Sequence, residues 1–393
     1  MNMNKIKIIT SVIVILAMLF VCPNINNVYA EESVESNTIT EESNNAEEVN
    51  EIRYKAKVIE ALSVFVEEDS GSKYQKIKLK ILTNGEYKNN EYDATYSIQV
   101  LDSAEHEKLE EGDIVYAYLN NSAKNIEFVI EDIDRIPYVL IVLGLFIAVI
   151  LLVGKKQGLK TVISLIVTTV CIIWILIPMV LNGQSAVLGA VITSSIVAIT
   201  TFVLIAGFSR KALVSTVSTI IGVIIGVLLA YIISVLGRIT GLSDEESKML
   251  IYLTKDLTFD ISGVFFAGII IGTIGATMDV AMSISSALDE LSLKVKNMGY
   301  KEYIKSGLTV GRDVMGTMSN TLILAYVGSS LTIIFIHIVN NNDFMTIINS
   351  DYIASEILRS FCSTIGMILT IPVTAYIYAL SHKVFKNNIK IEK

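Results

Sequence analysis

From Ile136 to His382 the chain is a succession of apolar runs, most of them close to 20 residues long. A run of about 20 residues crosses the hydrocarbon core of a bilayer as one helix. Only a helix or a closed barrel satisfies its own backbone polar groups there. The runs fall at about 136–153, 161–181, 185–208, 212–236, 261–283, 317–338 and 362–382, which predicts an all-α bundle of seven membrane-spanning helices. A hydrophobic fraction of 52%, only 18% charged residues and a mean hydropathy of +0.58 exclude an ordinary soluble domain.

What precedes the bundle is different. Lys5 and Lys7 lead an apolar stretch from Ile8 to Cys22, and Val28-Tyr29-Ala30 supplies small residues three and one positions before Glu31. This is the pattern of a cleavable secretory signal peptide over 1–30, cut after Ala30, with an uncleaved signal anchor as the alternative. Phe20 and Val21 are too bulky for a lipoprotein signal at Cys22. Residues 31–51 hold eight Glu and no Lys or Arg, and predict a disordered acidic tether.

Residues 52–135 alternate apolar and polar positions, as in KIKLKIL, and are broken by Thr83-Asn84-Gly85 and by Gly112-Asp113. Period-two alternation between turn signals predicts a small antiparallel β domain of about five strands, an OB-like barrel being one form it can take. Tyr87, Tyr92, Tyr96, Tyr116 and Tyr118 read either as a stacking platform or as barrel core and rim. With no concentrated basic face, the domain is not expected to bind nucleic acid. Of the three cysteines, Cys22 lies in the leader and Cys171 and Cys362 lie in apolar runs, so no disulfide holds the β domain.

Orientation follows from the positive loops. If the β domain is exported, the inner loops carry Lys155, Lys156 and Lys160, then Arg210 and Lys211, then Lys294, Lys296, Lys301 and Lys305, then a basic tail over 383–393. The outer loops hold only Arg238, Lys248, Lys255 and Arg359. This is the positive-inside distribution for a bacterial plasma-membrane protein with a cytoplasmic C-terminus. Ser243 and Glu246 form a capping-box pattern that predicts a short outer-surface helix, with a second over 351–361. Pro178 and Pro372 lie inside spans and are expected to kink them.

Chemistry concentrates between Gly263 and Ser330. Gly268, Gly272, Gly275, Asp279 and Ser283 follow one another by three or four positions and so share one helix face. On the next segment Asp313, Gly316 or Thr317 and Asn320 form a matching face beside Arg312, with Gly311, Gly316 and Gly328 as packing positions. Glycines at this spacing let helices approach closely. Charge at membrane depth is costly and needs a partner or a purpose. Two readings stand. Asp279, Asp313, Thr317 and Asn320 line an ion or solute path, with Arg312 as anion contact, or an Arg312–Asp279 pair latches two helices. Met278, Met282, Met315 and Met318 flank these positions as gap fillers. No nucleophile, zinc or phosphate-loop motif is present, so neither an enzyme nor a cofactor or metal site is expected.

The blocks AGIIIGTIGATMDVAMSISSAL and SGLTVGRDVMGTMSNTLILAYVGSSL, with IDRIPYVL at the end of the β domain and GKKQGLK after the first span, resemble the signature of the YibE/F family of bacterial membrane proteins. The resemblance implies a polytopic plasma-membrane protein, and places Asp279, Arg312, Asp313 and Asn320 inside the signature without assigning them roles. The expected function is that of a permease-like transporter for an ion or small solute. The alternative is a non-transporting sensor or scaffold whose β domain binds a ligand or partner. The expected partners are the bilayer, an ion or solute, and a membrane protein or a second copy of the chain.

Overall fold

The computed structural model of the chain describes residues 53–66, 73–98, 108–119, 126–242, 247–250, 260–295 and 298–391, with side chains to residue 382. The leader, the acidic tether, the Ser243–Glu246 capping box and Lys393 of the tail lie outside these residues. The described chain falls into two compact units, 23–149 and 150–393.

In the first unit, β1 (Tyr54–Val66), β2 (Lys73–Ile81), β3 (Glu91–Ile98), β4 (Ile114–Leu119) and β5 (Phe128–Ile133) close a barrel in the order β1-β2-β3-β5-β4. The expected antiparallel domain needs one correction, since β3 and β5 pair in parallel over Ala94–Tyr96 and Phe128–Ile130. Period-two alternation specifies which face of a strand is buried but not the direction of its neighbour. The alternation itself is realised, with Ile77, Leu79 and Ile81 fully buried and the intervening lysines turned outward. Gly112, at φ +102°, makes the turn before β4 in a region open to glycine.

The aromatic residues serve as core and rim. Tyr54, Tyr87 and Tyr92 pack around the buried Phe128 at centroid separations of 5.2–5.9 Å. Gln75, 3% exposed, closes one end by donating to Leu109 O at 3.0 Å and accepting from Leu109 N at 2.9 Å. Asp134, just after β5, is nearly enclosed. Its Oδ1 accepts from Ile136 N at 3.1 Å and its Oδ2 stands 2.6 Å from Lys55 Nζ. Helix α1 (Ile136–Cys171) therefore starts on a carboxylate clamped to β1.

The second unit is helical. After α1 come a π turn (Ile172–Leu176), α2 (Ile177–Leu181), α3 (Ala186–Ala206), α4 (Arg210–Gly237), α5 (Ile261–Lys294), α6 (Tyr300–Ser329), α7 (Leu331–Val339), α8 (Phe344–Asn349) and α9 (Asp351–Ile391). Among the described residues five helical stretches are long and apolar enough to cross a membrane, or six if α6 and α7, bent by 56°, form one span. Seven were expected. The difference lies in Ile136–Leu181, a 46-residue stretch that contains both 136–153 and 161–181. It is not straight. Lys155 has φ 48° and ψ −122°, and Gly158 lies against the Ile150 carbonyl. Residues eight apart in a straight helix are separated by about 12 Å along the axis, so the chain folds sharply at GKKQG.

Two further boundaries moved. The lysine-rich stretch before span six is helical from Tyr300, because its buried stripe is Tyr303, Gly307 and Gly311 and carries little hydropathy. Residues 351–361 are the first turns of α9, continuous with the last span. Pro372 lies inside α9 without ending it, and Pro178 follows the π turn, where its missing N–H would otherwise interrupt the ladder.

The core of this unit is the α4–α5–α9 contact. A Cβ on Gly366 of α9 would stand 2.8 Å from the Gly222 carbonyl and 3.1 Å from Gly226 Cα, so α4 and α9 cross backbone to backbone. Around the crossing the side chains are hydroxyls. Thr273 donates to Ser363 at 2.8 Å, Ser215 donates to Ala281 O at 3.2 Å, and Thr370 and Thr374 donate to carbonyls four residues back.

Candidate functional site

Depth along the bundle can be read from these contacts. Arg210 opens α4 where the chain turns back from α3. Ser215, five residues in, meets Ala281 on α5. At 1.5 Å per residue this puts Ala281 about 7.5 Å, and Asp279 about 10 Å, beyond the level of Arg210. On α6, Gly311 packs against Ile284 of α5 and Ile371 of α9. Arg312 and Asp313 then lie about 4–6 Å beyond the level of Arg210, and Asn320 about 16 Å. On this scale the charged positions lie within about 11 Å of the Arg210 level.

Asp279, Ser283, Arg312, Asp313, Thr317 and Asn320 are all exposed on the surface of the chain. Asp279 and Ser283 stand on the exposed face of α5 and the other four on the exposed face of α6, while the inward positions of both helices are apolar: Val280, Ile284, Met315, Met318 and Leu322. Met278 and Met282 pack against the other apolar cluster of the bundle. Among the described residues, Asp279 makes no hydrogen bond or ion pair, and neither does Arg312, Asp313 or Asn320. Arg312 and Asp279 are thus not joined to each other. Each ionised group at such a position costs up to about 2.5–3.5 kcal/mol unless water or a partner meets it.

Glycines of these two helices are equally open. A Cβ on Gly268, Gly275, Gly316 or Gly328 would meet nothing within 4 Å, and one on Gly272 would meet the Tyr326 hydroxyl at 2.5 Å. Within the chain the close approach is made at Gly222, Gly226, Gly366, Gly307 and Gly311 instead.

A second polar cluster joins four helices at the Arg210 end. Arg210 Nη1 is 2.7 Å from His382 Nδ1, and Nη2 donates to Asp289 Oδ1 at 3.3 Å and Ser292 Oγ at 3.4 Å. Its guanidinium lies over the Tyr378 ring at 4.6 Å, and the Tyr378 hydroxyl donates to Asp289 at 3.1 Å. Tyr303 of α6 closes the set through its hydroxyl, 3.3 Å from His382 Nε2. Sequence reading missed this cluster because its members are separated by up to 172 positions. The one available signal was an arginine at a helix start with an aspartate, a tyrosine and a histidine near three other helix ends. Among the described residues no group of three or more His, Cys, Asp or Glu could hold a metal ion.

A bundle of long apolar helices, packed through glycine and hydroxyl seams and carrying charge within a span, defines a polytopic helical membrane protein with a small five-stranded barrel ahead of it. The chain belongs to the YibE/F-like protein family, whose model matches residues 142–384. No curated protein and no solved structure matches the chain.

Proposed function

We propose that this protein is a permease-like transporter of a bacterial plasma membrane, moving an ion or small solute along the α5–α6 flank. The observation that carries the reading is Asp279, a carboxylate about 10 Å inside the Arg210 level with no partner in its own chain. A group in that position is stabilised by water or by a passing cation. Arg312, Asp313, Thr317 and Asn320 continue the polar flank along α6. The 56° bend between α6 and α7 adds a broken helix, a common element of transport sites.

In this reading the fold at Lys155 divides Ile136–Leu181 into two spans, and α6 with α7 forms one, giving seven. Lys155, Lys156, Lys160, Arg210 and Lys211 then gather on the cytoplasmic side and the barrel is exported behind a signal peptide. The barrel's strand order supports an OB-like form. The reading is non-enzymatic and calls for no cofactor.

A sealed-proteoliposome flux assay tests it. Flux is expected with the wild type and lost in Asp279→Asn, with the melting temperature unchanged. If that variant only lowers the melting temperature and no flux is ever detected, the transport reading fails. One observation favours the sensor alternative: the Lys55–Asp134–Ile136 joint, which ties the barrel wall to the first turn of α1.

A further inference from the structure

Within the Arg210 cluster, His382 is the group whose charge an ordinary change of pH can reach. Imidazoles ordinarily change charge between pH 5 and 8, whereas arginine, aspartate and tyrosine ordinarily do not. The geometry shows which form is present. A guanidinium only donates, so its approach to His382 Nδ1 at 2.7 Å requires a bare lone pair on that nitrogen. The imidazole is therefore neutral, with its proton on Nε2, 3.3 Å from the Tyr303 hydroxyl. Among the described residues, the charged and titratable groups around it are Arg210 from α4, Asp289 from α5, Tyr303 from α6 and Tyr378 one turn back in α9.

We propose that this contact is a pH-operated latch: a proton on His382 Nδ1 drives the imidazole away from Arg210 and frees the end of α9 from α4. The protonated ring sets a second N–H donor against the guanidinium and a second positive charge beside it. One carboxylate, Asp289, does not pair fully with both, since its Oδ1 already accepts from Arg210 and from Tyr378. The bundle is built to move at this end. α4 and α9 cross backbone to backbone at Gly222 and Gly366, about 18 Å along α4 from Arg210 and about 24 Å along α9 from His382. Between crossing and latch the buried positions of α4, apart from Val214, are Ala212, Ser215, Ser218 and Thr219. Such small side chains interdigitate little and offer little resistance to a change of angle. Tyr303 ties the first turn of α6 to the same imidazole, so the release reaches α6 as well. In the orientation proposed above, the pH read is that of the cytoplasm.

The latch holds whether or not a solute crosses, so its test involves no flux. The chain has three histidines. Nitrogen-15 histidine NMR of the full-length protein in lipid nanodiscs therefore reads the latch directly once His106→Gln and His337→Gln leave only His382. At pH 8 the spectrum is expected to show Nδ1 bare and Nε2 protonated, and at pH 5 both protonated. Nitroxides on Phe208→Cys, just before α4, and Leu380→Cys, on the exposed side of α9, report the opening in a chain whose own three cysteines are alanine. Their separation is expected to lengthen by about 2 Å or more from pH 8 to pH 5, the scale of helix shifts in known switches. His382→Gln keeps an acceptor for Arg210 and a donor for Tyr303 but does not titrate. It is expected to hold the pH 8 separation at both values. A proton on Nδ1 at pH 8, an unchanged separation in the wild type, or a pH response that survives in His382→Gln overturns the proposal. If His382→Gln fails to fold, the spectrum and the wild-type separations decide, since neither needs a substitution in the cluster.

Discussion

Removing Arg210 should loosen four helices at once. Its side chain is 19% exposed and its partner Asp289 34% exposed, so the pair lies between a surface bridge and a buried one. Surface pairs contribute about 0–1 kcal/mol, whereas breaking a buried pair costs about 3–5 kcal/mol. Discounting for this partial exposure leaves roughly 1–2 kcal/mol for the Arg210–Asp289 contact. The guanidinium over Tyr378 adds about 0.5–1 kcal/mol, so Arg210→Ala is expected to cost about 1.5–3 kcal/mol. For a helical unit of this size that corresponds to a fall in melting temperature of roughly 3–12 °C. The assay is thermal unfolding in nanodiscs of Arg210→Ala, Asp289→Asn and the double variant. Contact between the two predicts a coupling of about 1 kcal/mol in the cycle. If Arg210→Ala melts within about 1 °C of wild type, or the two losses simply add, the cluster does not hold the helix ends together.

Glycine substitutions should divide by location. Gly366→Ala forces α4 and α9 apart at the Gly222 carbonyl and is expected to cost about 1–3 kcal/mol in the same melts, while Gly268→Ala, facing open space, leaves the bundle's stability unchanged. Equal losses at both sites would contradict the assignment of the close crossing. The barrel joint should be pH-dependent at the alkaline end. The Asp134 carboxylate raises the Lys55 pKa above its ordinary 10.5. A raised lysine pKa stabilises fully below the unfolded value and is lost as pH rises through the folded one. The wild type should therefore exceed Lys55→Met in stability at pH 8, as followed by the β-sheet band in the infrared, and the difference should shrink as pH rises beyond 10.5. A difference unchanged beyond that point would rule the pair out.

Much of this molecule was legible in its sequence because the signals are local. Run length marked the long apolar helices, and alternation in KIKLKIL located the barrel wall. Spacing along a helix placed Asp279 on the face of Gly268 and Gly275, and Asp313 on that of Gly316 and Asn320. Failures occurred where local signals are silent. The start of α6 was hidden because glycine fills its buried stripe at Gly307 and Gly311.

What the sequence by itself determined, then, was which segments leave water and which residues share a helix face, since both depend on neighbours within a few turns. Only the tertiary structure decided which faces are used. It placed Gly222, Gly226 and Gly366 at the helix crossing, paired β3 with β5 in parallel, and gathered Arg210, Asp289, Tyr378 and His382 at one end. It also left Asp279 and Arg312 exposed and not paired with each other. The reason is physical: a helix face is set by a 3.6-residue repeat, but its occupant is set by elements far away along the chain, which no local pattern encodes.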